Sequence, residues 1–268
     1  MNPTATDRTF DPIGVFDSGI GGLTVANAIL SHLPLESISY YADTGHVPYG
    51  PRSREEISGF AHRITQYLLD QGSKLIVVAC NTATAAALHE LRASWPEVPF
   101  VGMEPAVKPA ALATKSGKVG VLATAATFRS ERYATLMHRF ARDVQVWENP
   151  CIGLVPLIEA RRWEDPETDT LLRTIITPML QAGIDTLVLG CTHYPFLMPL
   201  IRRIAGPDVT IIDPAPAVAR QVERQLAERG WLISTPHQPH HRFFASGNQP
   251  DFAALLPAAF RSDHSALP

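Results

Sequence analysis

Apolar stretches of strand length alternate along this chain with segments whose apolar residues recur at helical spacing. Strand-length runs fall at 13–16, 38–42, 75–79, 100–103, 119–123, 144–146, 187–190 and 209–212. Helical spacing occupies 23–32, 55–70, 84–94, 130–142, 168–182, 196–204 and 217–229. Runs such as Leu75-Ile76-Val77-Val78-Ala79 lack the alternating polar positions of a half-wet strand. The pattern predicts an α/β protein whose parallel-rich sheets are flanked by helices on both faces. A last strand is expected over 242–247, followed by a helix over 251–260.

Within this alternation the chain repeats itself. The segment from Leu69 to Cys80 aligns without a gap on the segment from Leu180 to Cys191, 111 positions later. Each copy reads as a helix end, a Gly break, a short apolar strand and a thiol. Gly14-Val15-Phe16-Asp17-Ser18 echoes Gly120-Val121-Leu122-Ala123-Thr124 at an offset of 106, and Glu104-Pro105-Ala106 echoes Asp213-Pro214-Ala215 at 109. Offsets this close suit a duplicated unit with loop changes. Pro restricts its neighbour and favours a rigid bend, so the steps at Pro105 and Pro214 are the expected crossings between two halves. A Cys at the carboxyl end of a buried parallel strand sits where α/β sheets place ligands and chemistry. Two such strands would present two thiols across a shared cleft, suiting a reaction that takes a proton from one face and delivers one to the other.

Composition narrows the remaining classes. The 268 residues are 46% hydrophobic and 18% charged, which are globular values. A net charge of −3 without a basic stripe leaves no footprint for nucleic acid. No uncharged apolar run reaches membrane-spanning length, and residues 1–10 lack the apolar core of a secretory signal. Three cysteines are too few for a disulfide framework. The expected compartment is the cytoplasm, where thiols stay free.

Phe16-Asp17-Ser18-Gly19-Ile20-Gly21-Gly22-Leu23 has the look of a nucleotide-binding turn, but Thr24 stands where the third small residue belongs, and no Gly-Lys-Ser/Thr follows Gly19. What remains is a strand end, a carboxylate, a hydroxyl and a Gly-rich helix entry. The segment from Tyr41 to Gly50 ends a strand and turns at Pro48-Tyr49-Gly50. A lone Cys at a strand end is most often a small core hydrophobe; two at equivalent positions of a duplication, followed by Asn81-Thr82 and Thr192-His193, point to chemistry. Thr82-Ala83-Thr84 and Thr192 supply helix caps, and free helix N–H groups at both places would bind anions and lower the thiol pKa from about 8.5 toward neutrality. Asp17 falls to the first thiol and His193 to the second, so the two have different helpers. Cys151 has no repeat partner and reads as structural. His237, His240 and His241 lie in a Pro-rich stretch whose default is a solvated loop rather than a metal site. A cysteine hydrolase would leave the duplicated thiol unexplained; a binding module for acidic ligands would need neither.

Taken together, Phe16 to Gly22, Ala42-Asp43, Pro48-Tyr49-Gly50, Cys80-Asn81-Thr82-Ala83, Val155-Pro156-Leu157-Ile158-Glu159 and Gly190-Cys191-Thr192-His193-Tyr194-Pro195 resemble, in order, the motifs of the glutamate racemases within the cofactor-independent amino-acid racemases. The resemblance implies interconversion of L- and D-glutamate for the bacterial cell wall, with no metal, no pyridoxal or other cofactor, and commonly a homodimer. An aspartate racemase is the nearest alternative. It implies two pseudo-symmetric α/β lobes with the site between them, the first formed by 1–104 plus 214–268 and the second by 105–213. Carried over, Cys80 and Cys191 are the acid/base pair, assisted by Asp17 and His193, with Glu159 in the catalytic set. Asp17, Ser18, Asp43, Pro48, Tyr49, Gly50, Asn81, Thr82, Thr124, Thr127, Thr192 and His193 become the substrate contacts. The chain departs from the family pattern at Ile152, where Pro is frequent, at Ala160 after Glu159, and at Gly45.

Overall fold

The structure is a computed structural model describing residues 7–248 and 250–255. Nine strands among the described residues form two sheets: β1 (Ile13–Asp17), β2 (Ile38–Ala42), β3 (Leu75–Val78), β4 (Phe100–Gly102), β5 (Lys118–Ala123), β6 (Gln145–Asn149), β7 (Thr186–Gly190), β8 (Thr210–Ile212) and β9 (Arg242–Ala245). One sheet runs β4-β3-β1-β2-β9 and the other β6-β5-β7-β8, with every pairing parallel. β3 and β7 are buried along their whole length, which explains their unbroken apolar sequence.

Read in reverse, the second sheet runs β8-β7-β5-β6, the order β4-β3-β1-β2 under the substitution of β5 to β8 for β1 to β4. The registers match as well. Phe16 lies opposite Val78 in the first sheet and Leu122 opposite Leu189 in the second, and both members shift by the offsets of the sequence repeat. β9 pairs with β2 and forms the edge of the first sheet; it has no counterpart in the second sheet.

Several helices differ from their expected bounds for local reasons. The segment expected as a helix over 84–94 begins at Asn81, because the Cys80 sulfur accepts the Ala83 N–H at 3.4 Å and itself caps the helix Asn81–Ser94. Thr84, expected to cap, instead donates to the Val78 carbonyl and accepts from the Met103 N–H. The helix expected over 130–142 spans Glu131–Phe140, capped by Ser130, and a short helix with no expectation, Ala125–Phe128, capped by Thr124, precedes it. After Cys191 no α-helix starts at once: a 3-10 turn, Tyr194–Leu197, precedes the helix Met198–Ala205. The helix expected over 217–229 spans Ala215–Ala227, with Asp213 accepting the Ala215 N–H. Short helices Val107–Ala113 and Leu154–Glu159 had no expectation. The last expected helix is present at Phe252–Leu255, and residues 256–260 of that expectation lie outside the described residues.

At the foot of β3, opposite the end that carries Cys80, Lys74 and Glu36 form a fully buried ion pair at 2.8 Å. The ammonium also donates to the Thr9 and Trp231 carbonyls, and Glu36 accepts the Ile233 N–H. Lys74 therefore serves the base of the sheet rather than a ligand. Lys74→Met should leave the Glu36 carboxylate buried without its counter-charge and cost about 3–5 kcal/mol, read as a lower urea midpoint. Adding Glu36→Leu should recover most of that loss; no recovery would show that the pair does more than balance charge.

Candidate active site

The carboxyl ends of β3 and β7 lead into Cys80 and Cys191, and both sulfurs line one cleft of about 450 Å³ between the sheets. Both residues are buried. Cys80 rests at the start of the helix Asn81–Ser94, with its thiol directed toward the Ser18 hydroxyl at 4.0 Å. Cys191 faces His193 Nδ1 at 3.7 Å, and His193 Nε2 lies 2.6 Å from Glu159. The same Glu159 oxygen accepts the Ile20 N–H at 2.9 Å, so a carboxylate that follows the second sheet's β6 is tied to the turn after β1.

This contact explains the Gly-rich segment that fails as a nucleotide loop. A Cβ on Gly19 would fall inside the Glu159 carboxylate, and one on Gly21 inside the His193 ring. The glycines are there so that backbone can lie directly against the Glu159–His193 pair. Asp17, at the end of β1, accepts the Gly19 N–H at 3.0 Å and the Thr192 hydroxyl at 3.3 Å. Thr24 donates to the Thr192 carbonyl at 3.1 Å, which adds a further bond between the halves.

Burial and, after it, the charge of Asp17 push the Cys80 thiol well above its usual range, and the Ala83 N–H only partly offsets them. The expectation that helix N–H groups lower the thiol is overturned at Cys80, where desolvation outweighs a single N–H, and behind Cys191 a 3-10 turn stands where a helix start was expected. Burial likewise raises the Asp17 carboxyl, against the lowering influence of His193. For His193 burial works against the charged form, yet its hydrogen bonds to Cys191 and Glu159 and the nearby negative charges leave the imidazole well above its usual value.

Ser18, Pro48, Tyr49, Gly50, Asn81, Thr82, Thr124, Thr192 and His193 line the cleft with the thiols. Four residues expected at the site stand behind its lining. Asp17 and Glu159 are engaged as above. Asp43, expected among the substrate contacts, accepts from the Tyr49 and Ser246 hydroxyls and bonds His46 Nδ1 at 2.7 Å, so it holds Tyr49 in the wall. Thr127, expected likewise, is buried beneath Thr124, 3.0 Å from its hydroxyl, while Thr124 meets Thr82 across the cleft at 2.8 Å.

The one amide side chain among the described lining residues is incomplete. Asn81 is 4% exposed, and neither its Oδ1 nor its Nδ2 has a hydrogen-bond partner. A buried amide left this way is costly, and its place on the cleft wall makes a ligand its natural partner. Sequence reading missed Arg129 and Cys151. Cys151, read as structural, lines the cleft with a left-handed backbone (φ 49°), and burial pushes its thiol up to about 12. Its one signal was its place just before the Val155-Pro156 motif. Tyr194 also lines the cleft, and its buried hydroxyl has no hydrogen-bond partner among the described residues. No group of three or more His, Cys, Asp or Glu among the described residues is placed to hold a metal, and no described helix is long and apolar enough to cross a membrane.

Residues 24–222 match the model of the Asp/Glu/hydantoin racemase family. A glutamate racemase of Pseudomonas paraeruginosa is 50% identical, over 95% of this chain and 96% of its own. A glutamate racemase isoform of Bacillus anthracis, in a crystal structure, superposes with a TM-score of 0.79 at 38% identity, covering 90% of each chain. The enzyme of Francisella tularensis, crystallised with D-glutamate, gives a TM-score of 0.79 at 34% identity over 92% of each chain. With two matched sheets, paired thiols and these likenesses, the chain belongs to the Asp/Glu/hydantoin racemase family and, within it, to the glutamate racemases.

Proposed function

We propose that this enzyme interconverts L- and D-glutamate by moving the α-proton between two thiols. The observation that carries the reading is the pair of sulfurs lining one cleft from equivalent strand ends. One cysteine, as thiolate, takes the α-hydrogen, and the C–H electron pair stays on the α-carbon. The other, as thiol, delivers a proton to the opposite face, so the two exchange states in each turnover and no net charge is made. The Asn81 amide, the Thr82, Thr124 and Thr192 hydroxyls and the backbone beside Gly50 would hold the two carboxylates and the amine. Donors at the α-carboxylate would stabilise charge as it spreads there. Such a scheme uses no metal or organic cofactor. The product D-glutamate would serve peptidoglycan synthesis in the cytoplasm, and a homodimer is the expected assembly.

The helpers differ between the two sides. Cys80 has Ser18 and, behind them, Asp17; Cys191 has the His193–Glu159 pair. A neighbouring carboxylate disfavours thiolate and an imidazolium favours it. Asp17 and Glu159 act as positioning residues in this scheme, and His193 exchanges a proton with Cys191.

Three outcomes test the proposal. Cys80→Ser and Cys191→Ser should each lower kcat in both directions by about 10²–10⁴-fold, the range for losing a general acid or base. Near-normal turnover by either variant, followed by the circular dichroism of glutamate, would contradict the two-thiol scheme. Asp17→Asn and His193→Asn should change kcat for the two enantiomers unequally and with opposite bias, while the ratio of kcat/KM stays at the solution equilibrium constant. Equal losses in both directions would mean that these side chains serve the site as a whole. Finally, alkylation of Cys80 by iodoacetamide, read by mass spectrometry, should climb with pH into the alkaline range, because burial and Asp17 hold the thiol protonated below it. Asp17→Asn should move that climb to lower pH; an unmoved profile would separate the carboxylate from the thiol.

A further inference from the structure

Among the described residues that line the cleft, Arg129 is the one permanently charged side chain. Its backbone closes the helix Ala125–Phe128, with its N–H on the Ala125 carbonyl, so the main chain is fixed while the side chain is exposed. No described residue makes a hydrogen bond or an ion pair with the Arg129 guanidinium. Arg132, three residues on, contrasts with it: that guanidinium is paired with Glu104 away from the cleft. Arg129 stands on the side of Thr124, where the halves come together: a Cβ on Gly50 would lie 3.5 Å from the Thr124 Cβ. Behind the lining stand the carboxylates of Asp17 and Glu159, with the thiols in front of them. Apart from His193, whose ring is engaged by Cys191 and Glu159, no other cationic side chain among the described residues lines the wall to meet an arriving anion.

We propose that Arg129 is the capture residue of this cleft: an unpaired guanidinium at its rim that draws a carboxylate-bearing substrate in past the negative interior. Attraction of this kind acts on entry and on the encounter complex rather than on proton transfer, and salt screens it over about 8 Å at physiological ionic strength. The inference rests on the racemase reading only for the identity of the anion. Because capture precedes chemistry, both enantiomers are served alike, which separates Arg129 from helpers that favour one thiol.

The test compares alkylation of the cleft thiols by anionic iodoacetate and neutral iodoacetamide, on the full chain at low salt. Arg129→Gln should lower the iodoacetate rate about tenfold, within the range of electrostatic steering, and leave the iodoacetamide rate unchanged. Arg129→Lys should restore most of the difference, and raising NaCl should erase it in the wild type. In the racemisation assay, KM for L- and D-glutamate should rise together in Arg129→Gln, with kcat falling less than twofold. An iodoacetate-to-iodoacetamide ratio that Arg129→Gln leaves unchanged would overturn the proposal. A ratio that responds in a protein that does not racemise glutamate would leave capture standing and refute the racemase reading instead.

Discussion

The Glu159 carboxylate is the point on which the two halves of this enzyme converge. One of its oxygens accepts both the Ile20 N–H and, at 2.6 Å, His193 Nε2. The first bond fixes the turn that follows β1, and the second fixes the ring that faces Cys191. Because the carboxylate lies against the backbone, Gly19 and Gly21 have no room for a side chain. The Gly-rich turn and the direction of the imidazole follow from this contact, and the Thr24–Thr192 and Asp17–Thr192 bonds join it in holding the halves together. Charge-assisted hydrogen bonds of this kind are short and geometrically demanding, which suits a contact that fixes one half against the other.

Duplication accounts for the symmetry of the site and later divergence for its asymmetry. The registers Phe16–Val78 and Leu122–Leu189 superimpose the two sheets, so Cys80 and Cys191 leave equivalent strand ends. Yet Asp17 is matched by Ala123, and His193 by Thr82. Burial beside a carboxylate pushes the Cys80 thiol up, while Cys191 faces an imidazole whose hydrogen bonds hold it well above its usual value. The two thiols therefore leave equivalent strand ends into unlike surroundings.

The sequence was most informative where burial is complete and least where structure depends on distant residues. Leu75 to Val78 and Thr186 to Gly190 are strands buried on both faces, and no other element explains such runs. At the sheet edge, β6 carries Gln145, Trp147 and Glu148 and extends to Asn149 because β5 offers it a full parallel ladder, which apolar content alone could not reveal. The helix Leu154–Glu159 is short and contains Pro156, so its periodicity is too brief to read. Of the site, the thiols and their following residues were legible from the repeat. That Asp43 supports Tyr49 rather than facing a ligand depends on Ser246, some two hundred residues away. Cys151 reaches the cleft through a left-handed backbone that no local motif announces.

In the proposed racemisation two groups, not one, handle the α-proton. Incubating the enzyme with L-glutamate in deuterated water, and sampling before a tenth of it has turned over, examines that directly by mass spectrometry of the separated enantiomers. Two thiols predict D-glutamate carrying one α-deuterium in every molecule, beside an L-glutamate pool that remains protiated. Protium carried over into the D-glutamate, or deuterium accumulating early in the L-glutamate, would mean that a single group removes and returns the proton, and would contradict the account.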